Sequence, residues 1–148
     1  MRIMAIDYGD AHTGVAVSDP TGFLTGDVTT IHSRKAEVVL EELVKLVQTY
    51  QVDELVMGFP RNMDGTEGPR AELYRTFAGR VEEATGLKPV LWDERRTTVD
   101  AHRILFDAGK NGKKRKKTVD AVAASLILEG YLSSVSYTHL TLPTTERV

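Results

Sequence analysis

Cysteine is absent from all 148 residues, which excludes disulfide staples and thiolate metal sites and gives no sign of an oxidising compartment. Long apolar runs are missing too. No stretch approaches the roughly 20 residues that a membrane-spanning helix requires. The N-terminal MRIMAIDYGD meets a carboxylate at position 7, so it cannot be the apolar core of a secretory signal. There is no G-x-S-x-G elbow to support nucleophilic hydrolase chemistry. The four histidines, His12, His32, His102 and His139, lack metal-ligand spacing of the H-E-x-x-H kind. Internal repeats and internal domain boundaries are likewise not found. Together these absences point to a cytoplasmic protein with no membrane partner.

What is present is an ordinary globular composition, 41% hydrophobic and 27% charged, in a length suited to one domain with a real core. The net charge of −2 at first argues against a nucleic-acid partner. Binding, however, depends on where positive charge sits rather than on its sum. Here Lys110, Lys113, Lys114, Arg115, Lys116 and Lys117 form a basic segment broken only by Asn111 and Gly112.

Arg2 to Asp7 reads as a short buried strand whose apolar residues end at a carboxylate. Tyr8-Gly9-Asp10 is a turn signal, and Gly14 to Ser18 a strand returning in a hairpin. Asp19-Pro20-Thr21-Gly22 turns again, and a third strand falls within Gly26 to His32. From Ala36 the period changes. Ala36, Val39, Leu40, Leu43, Val47 and Tyr50 make the stripe of a helix lying on a sheet. Glu54 to Gly58 is a buried strand, followed by the Gly/Pro/Asn-rich loop Gly58 to Gly65. A second helix from about Pro69 to Thr85 has Leu73, Tyr74, Phe77, Val81 and Ala84 on one face, with Gly86 as its left-handed cap and Pro89 beyond.

Pro89 to Glu94 is a fifth strand, again running from apolar residues into carboxylates. Thr97 or Thr98 can cap a helix ending near Gly109, and Thr118 caps a last helix to about Leu132. The order β-β-β-α-β-α-β-α-α implies an α/β domain over 1–132. Its mixed five-stranded sheet has three antiparallel strands followed by parallel α/β units, and helices flank it. Phe59 and Trp92 read as core or near-core aromatics. Residues 133–148, polar and without helical period, read as an unstructured and non-native tail.

Asp7, Glu94 and Asp120 are the candidates for chemistry. Taken singly, each has an ordinary reading. Asp7 could be a turn former, Asp93 and Glu94 could pair with Arg95 and Arg96, and Asp120 could complement a helix dipole. Their shared setting changes the weighting. Asp7 and Glu94 both follow strongly apolar strands, and ligand sites in open α/β sheets collect at such strand ends. Asp120 opens a helix that must pack back on the same sheet. If the two strands lie close, the three acids can converge, and converged carboxylates call for hard cations such as Mg²⁺ or Mn²⁺. Two such ions about 4 Å apart would stabilise the attacking and leaving oxygens of a phosphodiester displacement.

The run Asp7-Tyr8-Gly9 with Gly14 five residues on, the loop Gly58 to Glu67, the triplet Asp93-Glu94-Arg95 and the segment Thr118 to Ala124 resemble, in order, the YqgF/RuvX family. That family comprises RNase H-like proteins described as Holliday junction resolvases and as nucleases that mature the 5′ end of pre-16S rRNA. The resemblance covers residues 1 to about 132. It implies that Asp7, Glu94 and Asp120 are the catalytic acids and metal ligands and that Mg²⁺ or Mn²⁺ is the cofactor. It also implies an RNA precursor or branched DNA as substrate, with a ribosomal particle as a partner. Arg95, Lys113, Lys114, Arg115, Lys116 and Lys117 are the candidate nucleic-acid contacts, gripping phosphates without reading sequence.

Two rival classes stand beside this reading. One is an actin-like ATP-binding domain, since Asp-x-Gly with a glycine five residues later also resembles its first phosphate loop, although such proteins need two domains. The other is a non-catalytic nucleic-acid-binding protein on the same fold. Resolving a junction requires two symmetrical cuts and hence a homodimer, whereas trimming RNA suits a monomer.

Overall fold

The computed structural model describes residues 1–22, 25–60, 68–93 and 122–134. Strands β1 (Ile3–Asp7), β2 (His12–Ser18), β3 (Thr25–His32), β4 (Glu54–Phe59) and β5 (Val90–Asp93) are accompanied by helices α1 (Ala36–Tyr50) and α2 (Pro69–Thr85). A further helix, α3, covers 122–134. The strands form one sheet in the order β3-β2-β1-β4-β5. β1–β2 and β2–β3 pair antiparallel, while β1–β4 and β4–β5 pair parallel. The mixed five-stranded sheet predicted from the hairpins and the later α/β units is therefore the sheet observed. The 97–109 helix, the 118 cap and the loop core at 61–67 lie outside the described residues.

Strand alternation sorts the core into two layers. Met4 and Ile6 of β1, Val15 and Val17 of β2, and Leu55, Met57 and Phe59 of β4 face α1 and α2, packing with Val39, Leu43, Ala71, Tyr74, Phe77 and Val81. The other face presents Ile3 and Ala5, Ala16 and Val56 to Ala124, Ile127, Leu128 and Leu132 of α3. A central strand covered on both sides has no polar face to show, which is why β1 reads as an unbroken apolar run. Its first four residues are all buried, and only Asp7 at its end is partly exposed.

The α1 stripe is as predicted, with Val39 and Leu43 buried and Ala36, Leu40, Val47 and Tyr50 packed at its margins. α2 corrects two positions, since Ala84 is exposed as well as Leu73. Leu73 is 48% exposed, because Ala71, Tyr74, Phe77 and Val81 take the buried face and Leu73 lies about 100° around the helix from Tyr74. Gly86 does cap α2 in the left-handed region at φ 80°, its N–H donating to the Glu82 carbonyl at 2.8 Å. β2 starts two residues earlier than its turn chemistry suggests, since the β2–β3 ladder extends to His12 opposite His32. α3 runs through 133 and 134, two exposed positions past the sequence-based domain limit.

The α3 layer is anchored at one end by a polar contact. The Tyr131 hydroxyl donates to the Glu54 carboxylate at the start of β4, and its ring meets Trp92 edge-on with centroids 6.0 Å apart. Burial, reinforced by the carboxylate acceptor, pushes the phenol up to about 12, so it remains a donor throughout the neutral range.

Thr13 is the one fully buried hydroxyl in β2, and its Oγ1 has no hydrogen-bond partner among the described residues. An unpaired buried hydroxyl costs free energy that an apolar isostere avoids. Thr13→Val is therefore expected to raise the unfolding free energy by about 1 kcal/mol, read as a higher urea midpoint at unchanged slope.

Candidate active site

β1 is the middle strand of the sheet and β1, β4 and β5 run in the same direction, so their C-terminal ends share one edge. Ile6 pairs with Met57, and Met57 with Leu91. Asp7, one residue beyond that row, and Asp93, two beyond it, therefore emerge at the same edge, where open α/β sheets collect ligands. Asp7 stays partly exposed there.

The residues beside Asp7 lack side chains on both sides. Gly14 of β2 is directly opposite it. Gly58 of β4 falls beside it one step past the Ile6–Met57 pair. Neighbouring strands lie roughly 4.8 Å apart, so any larger residue at either position would stand against the Asp7 carboxylate. The two glycines put no side chain beside that carboxylate, which belongs to the α3 face of the sheet.

The turn that follows holds Asp7 in place. A Cβ on Gly9 would run into the carbonyl oxygen of His12, so only glycine lets β1 reverse this tightly into β2. Tyr8 stacks on Phe77 with centroids 3.8 Å apart and planes 7° from parallel, and meets Tyr74 edge-on at 5.6 Å. The Tyr74 hydroxyl donates to the Tyr8 carbonyl at 2.6 Å, and Arg70 donates to the same hydroxyl at 3.2 Å. Burial and the nearby Asp10 carboxylate raise the Tyr8 phenol above its ordinary value. Gly9→Ala is expected to cost about 1–3 kcal/mol through this backbone clash. It should also displace Asp7, so the activity proposed below should fall in molecules that remain folded, checked by thermal unfolding beside an activity assay.

Asp93 belongs to the other face. Trp92 packs with the α3 layer, so alternation turns Asp93 toward the α1/α2 side. There it is paired in register with Phe59, over whose ring the Arg75 guanidinium lies at 5.0 Å.

α3 begins toward the Asp7 edge and runs away from it. Its Tyr131 is fixed to Glu54 at the opposite edge of the sheet. The nine helical steps from Tyr131 back to 122 span roughly 13 Å, and the four strand steps from Glu54 to Gly58 span about the same. A helix laid along the strands thus brings 122 level with Gly58 and Asp7. Asp120 comes two positions before 122 in sequence, outside the described residues, as are Glu94, Arg95 and the basic residues from Lys113 to Lys117. Among the described residues no group of three or more histidines, cysteines or carboxylates gathers. What they do present is a carboxylate flanked by two glycines, an oxygen donor that suits a hard cation rather than a soft one.

Residues 1–134 match the family described as "RuvX: Holliday junction resolvase". The chain belongs to the RuvX family. A Carboxydothermus hydrogenoformans protein named "Putative pre-16S rRNA nuclease" is 45% identical over 133 residues, covering 90% of this chain and 96% of that one. A Clostridium botulinum protein of the same name is 46% identical over 136 residues, covering 92% and 99%.

Among solved structures, the fowlpox virus Holliday junction resolvase superposes with TM-score 0.59 at 13% identity, covering 90% of this chain and 99% of the resolvase. RuvC of T. thermophilus, in complex with Holliday junction substrate, gives 0.53 at 10% identity over 86% and 91% of the two chains. At such identities the likeness concerns the fold, and it is the RNase H-like fold that the sequence motifs imply. No helix among the described residues is long and apolar enough to cross a membrane.

Sequence reasoning placed Asp7 correctly at the open end of a buried strand. It missed Gly14 and Gly58 as the frame of that carboxylate, because only the strand order β2-β1-β4 makes them its neighbours. It also took Tyr74 and Phe77 as core alone, although they brace the turn after Asp7.

Proposed function

We propose that the chain is a metal-dependent endonuclease whose catalytic acids are Asp7, Glu94 and Asp120 and whose substrate is the 5′ precursor end of 16S rRNA. The observation that carries this reading is Asp7, a partly exposed carboxylate between two glycines on the central strand of a RuvX-family chain. Alternation continued one residue past Asp93 would assign Glu94 to the Asp7 face. The start of α3 toward the same edge favours Asp120 as the third acid. These three carboxylates would hold Mg²⁺ or Mn²⁺, which when bound supplies Lewis-acid stabilisation and an activated water for phosphodiester hydrolysis. Arg95 and the segment from Lys113 to Lys117 would hold the nucleic-acid backbone at its phosphates. The names borne by the relatives favour rRNA over DNA. The family description favours a second reading, cleavage of branched DNA.

Both readings are separated by one experiment. The protein is incubated with an RNA carrying the 16S precursor extension, or with a four-way DNA junction, in Mg²⁺, Mn²⁺ or EDTA. Cleavage of the RNA that EDTA abolishes is the expected result, whereas cutting of the junction alone would transfer the assignment to branched DNA. ATP turnover without cleavage of either would support the actin-like alternative.

A further inference from the structure

His12 and His32 are 20 residues apart in sequence, and their spacing carries no ligand signature. The sheet brings them together. They are Cα partners at the ends of β2 and β3. The next backbone bond of the ladder runs from the Ser33 N–H to the Ala11 carbonyl at 3.0 Å, which makes His12 and His32 a non-hydrogen-bonded antiparallel pair. Side chains approach most closely at such pairs. Their Nδ1 atoms lie 2.9 Å apart, with ring centroids at 4.9 Å and planes at 82°. Both side chains are exposed, so the pair is open to solutes.

Two imidazole nitrogens in direct contact share a single proton: one ring donates Nδ1–H and the other presents its lone pair. A divalent ion can replace that proton once each ring tilts its lone pair off the line between the two nitrogens. With nitrogen-to-metal bonds of roughly 2.0–2.1 Å, two ligands on one ion stand about 2.9 Å apart at a right angle and about 3.4 Å apart at the tetrahedral angle. The observed separation is already at the lower end of that span. Imidazole selects late first-row ions, whereas Mg²⁺ prefers carboxylate and water oxygens.

We propose that His12 and His32 form a two-histidine site for late first-row divalent cations, Cu²⁺, Ni²⁺ or Zn²⁺, completed by water. The bound ion takes one nitrogen from each strand and releases the shared proton to solvent. It therefore clips the end of β2 to the end of β3. His12 has the same strand parity as Gly14 and Ala16, and so lies on the face that carries Asp7. The site is nevertheless built from different residues and a different donor chemistry, and its existence does not depend on the nuclease reading.

The test is a calorimetric titration of the full chain with Cu²⁺, Ni²⁺ or Zn²⁺ alone, repeated for His12→Ala, His32→Ala and Asp7→Asn, with thermal unfolding at each metal concentration. The same histidine-dependent binding event is expected for the wild type and for Asp7→Asn, with affinities in the order Cu²⁺ above Ni²⁺. Each histidine variant should weaken binding by at least about tenfold and lose the metal-induced rise in unfolding temperature. His102 and His139 remain in every variant. Wild-type affinity in either histidine variant would thus overturn the proposal, as would binding that Asp7→Asn abolishes. Because both histidines are exposed, the variants are expected to fold, and unfolding without metal verifies it.

Discussion

Asp7→Asn is expected to lower phosphodiester cleavage by roughly 10²–10³-fold, the loss that follows removal of one preorganised charged group from a transition state. The exchange keeps the shape of the side chain and leaves the apolar part of β1 untouched, so the unfolding curve should hardly move. What changes is charge. An amide offers one neutral oxygen where the carboxylate offered two sharing a negative charge, and the divalent ion proposed there loses its central ligand. Gly14 and Gly58, the neighbours of Asp7 on the flanking strands, have no side chain that could compensate. Single-turnover cleavage across a range of Mg²⁺ concentrations checks the expectation. Equal rates for variant and wild type on every substrate would remove Asp7 from the active site.

Leu128→Ala should lower stability by about 2–5 kcal/mol, as for other leucines truncated in a packed interior. Leu128 is completely buried between α3 and the sheet, and few residues share the load there. Leu43→Ala offers the informative contrast. It empties a comparable volume under α1 on the opposite face and should cost a similar amount, yet leave metal affinity unchanged in the folded fraction. Leu128→Ala loosens the helix proposed to deliver Asp120, so it should weaken Mg²⁺ binding as well. Urea unfolding paired with a Mg²⁺ titration distinguishes the two. Identical metal affinities for both variants would disconnect α3 from the site.

Much of the frame was legible because its signals are local. The unbroken apolar run of β1 and the period of three to four in α1 are written in consecutive residues, and Gly86 sits where a left-handed cap must end α2. Asp7 could be picked out because a carboxylate ends an apolar run. The rest was hidden for a common physical reason, dependence on register and strand order. The glycine frame of Asp7 requires β2 and β4 to flank β1, and His12 meets His32 only through a specific antiparallel pairing. A one-residue slip in either ladder would move these side chains to the other face. Leu73 shows a smaller failure of the same kind. A helical stripe tolerates an apolar residue at its border, and only the packed neighbours decide whether it is covered.

The two faces of the sheet differ in thickness. Toward α1 and α2 it presents Met4, Ile6, Leu55, Met57 and Phe59, but toward α3 mainly Ala5, Ala16 and Val56. Those short side chains act as a thin shim that lets the backbone of α3 settle low over β1. Swapping the shim for a thicker one, as in Ala5→Leu, would lift the helix away from the strand that bears Asp7. Mg²⁺ requires its oxygens at about 2.0–2.1 Å in near-octahedral geometry, so with ligands proposed on both layers, the ion itself gauges how far apart they stand.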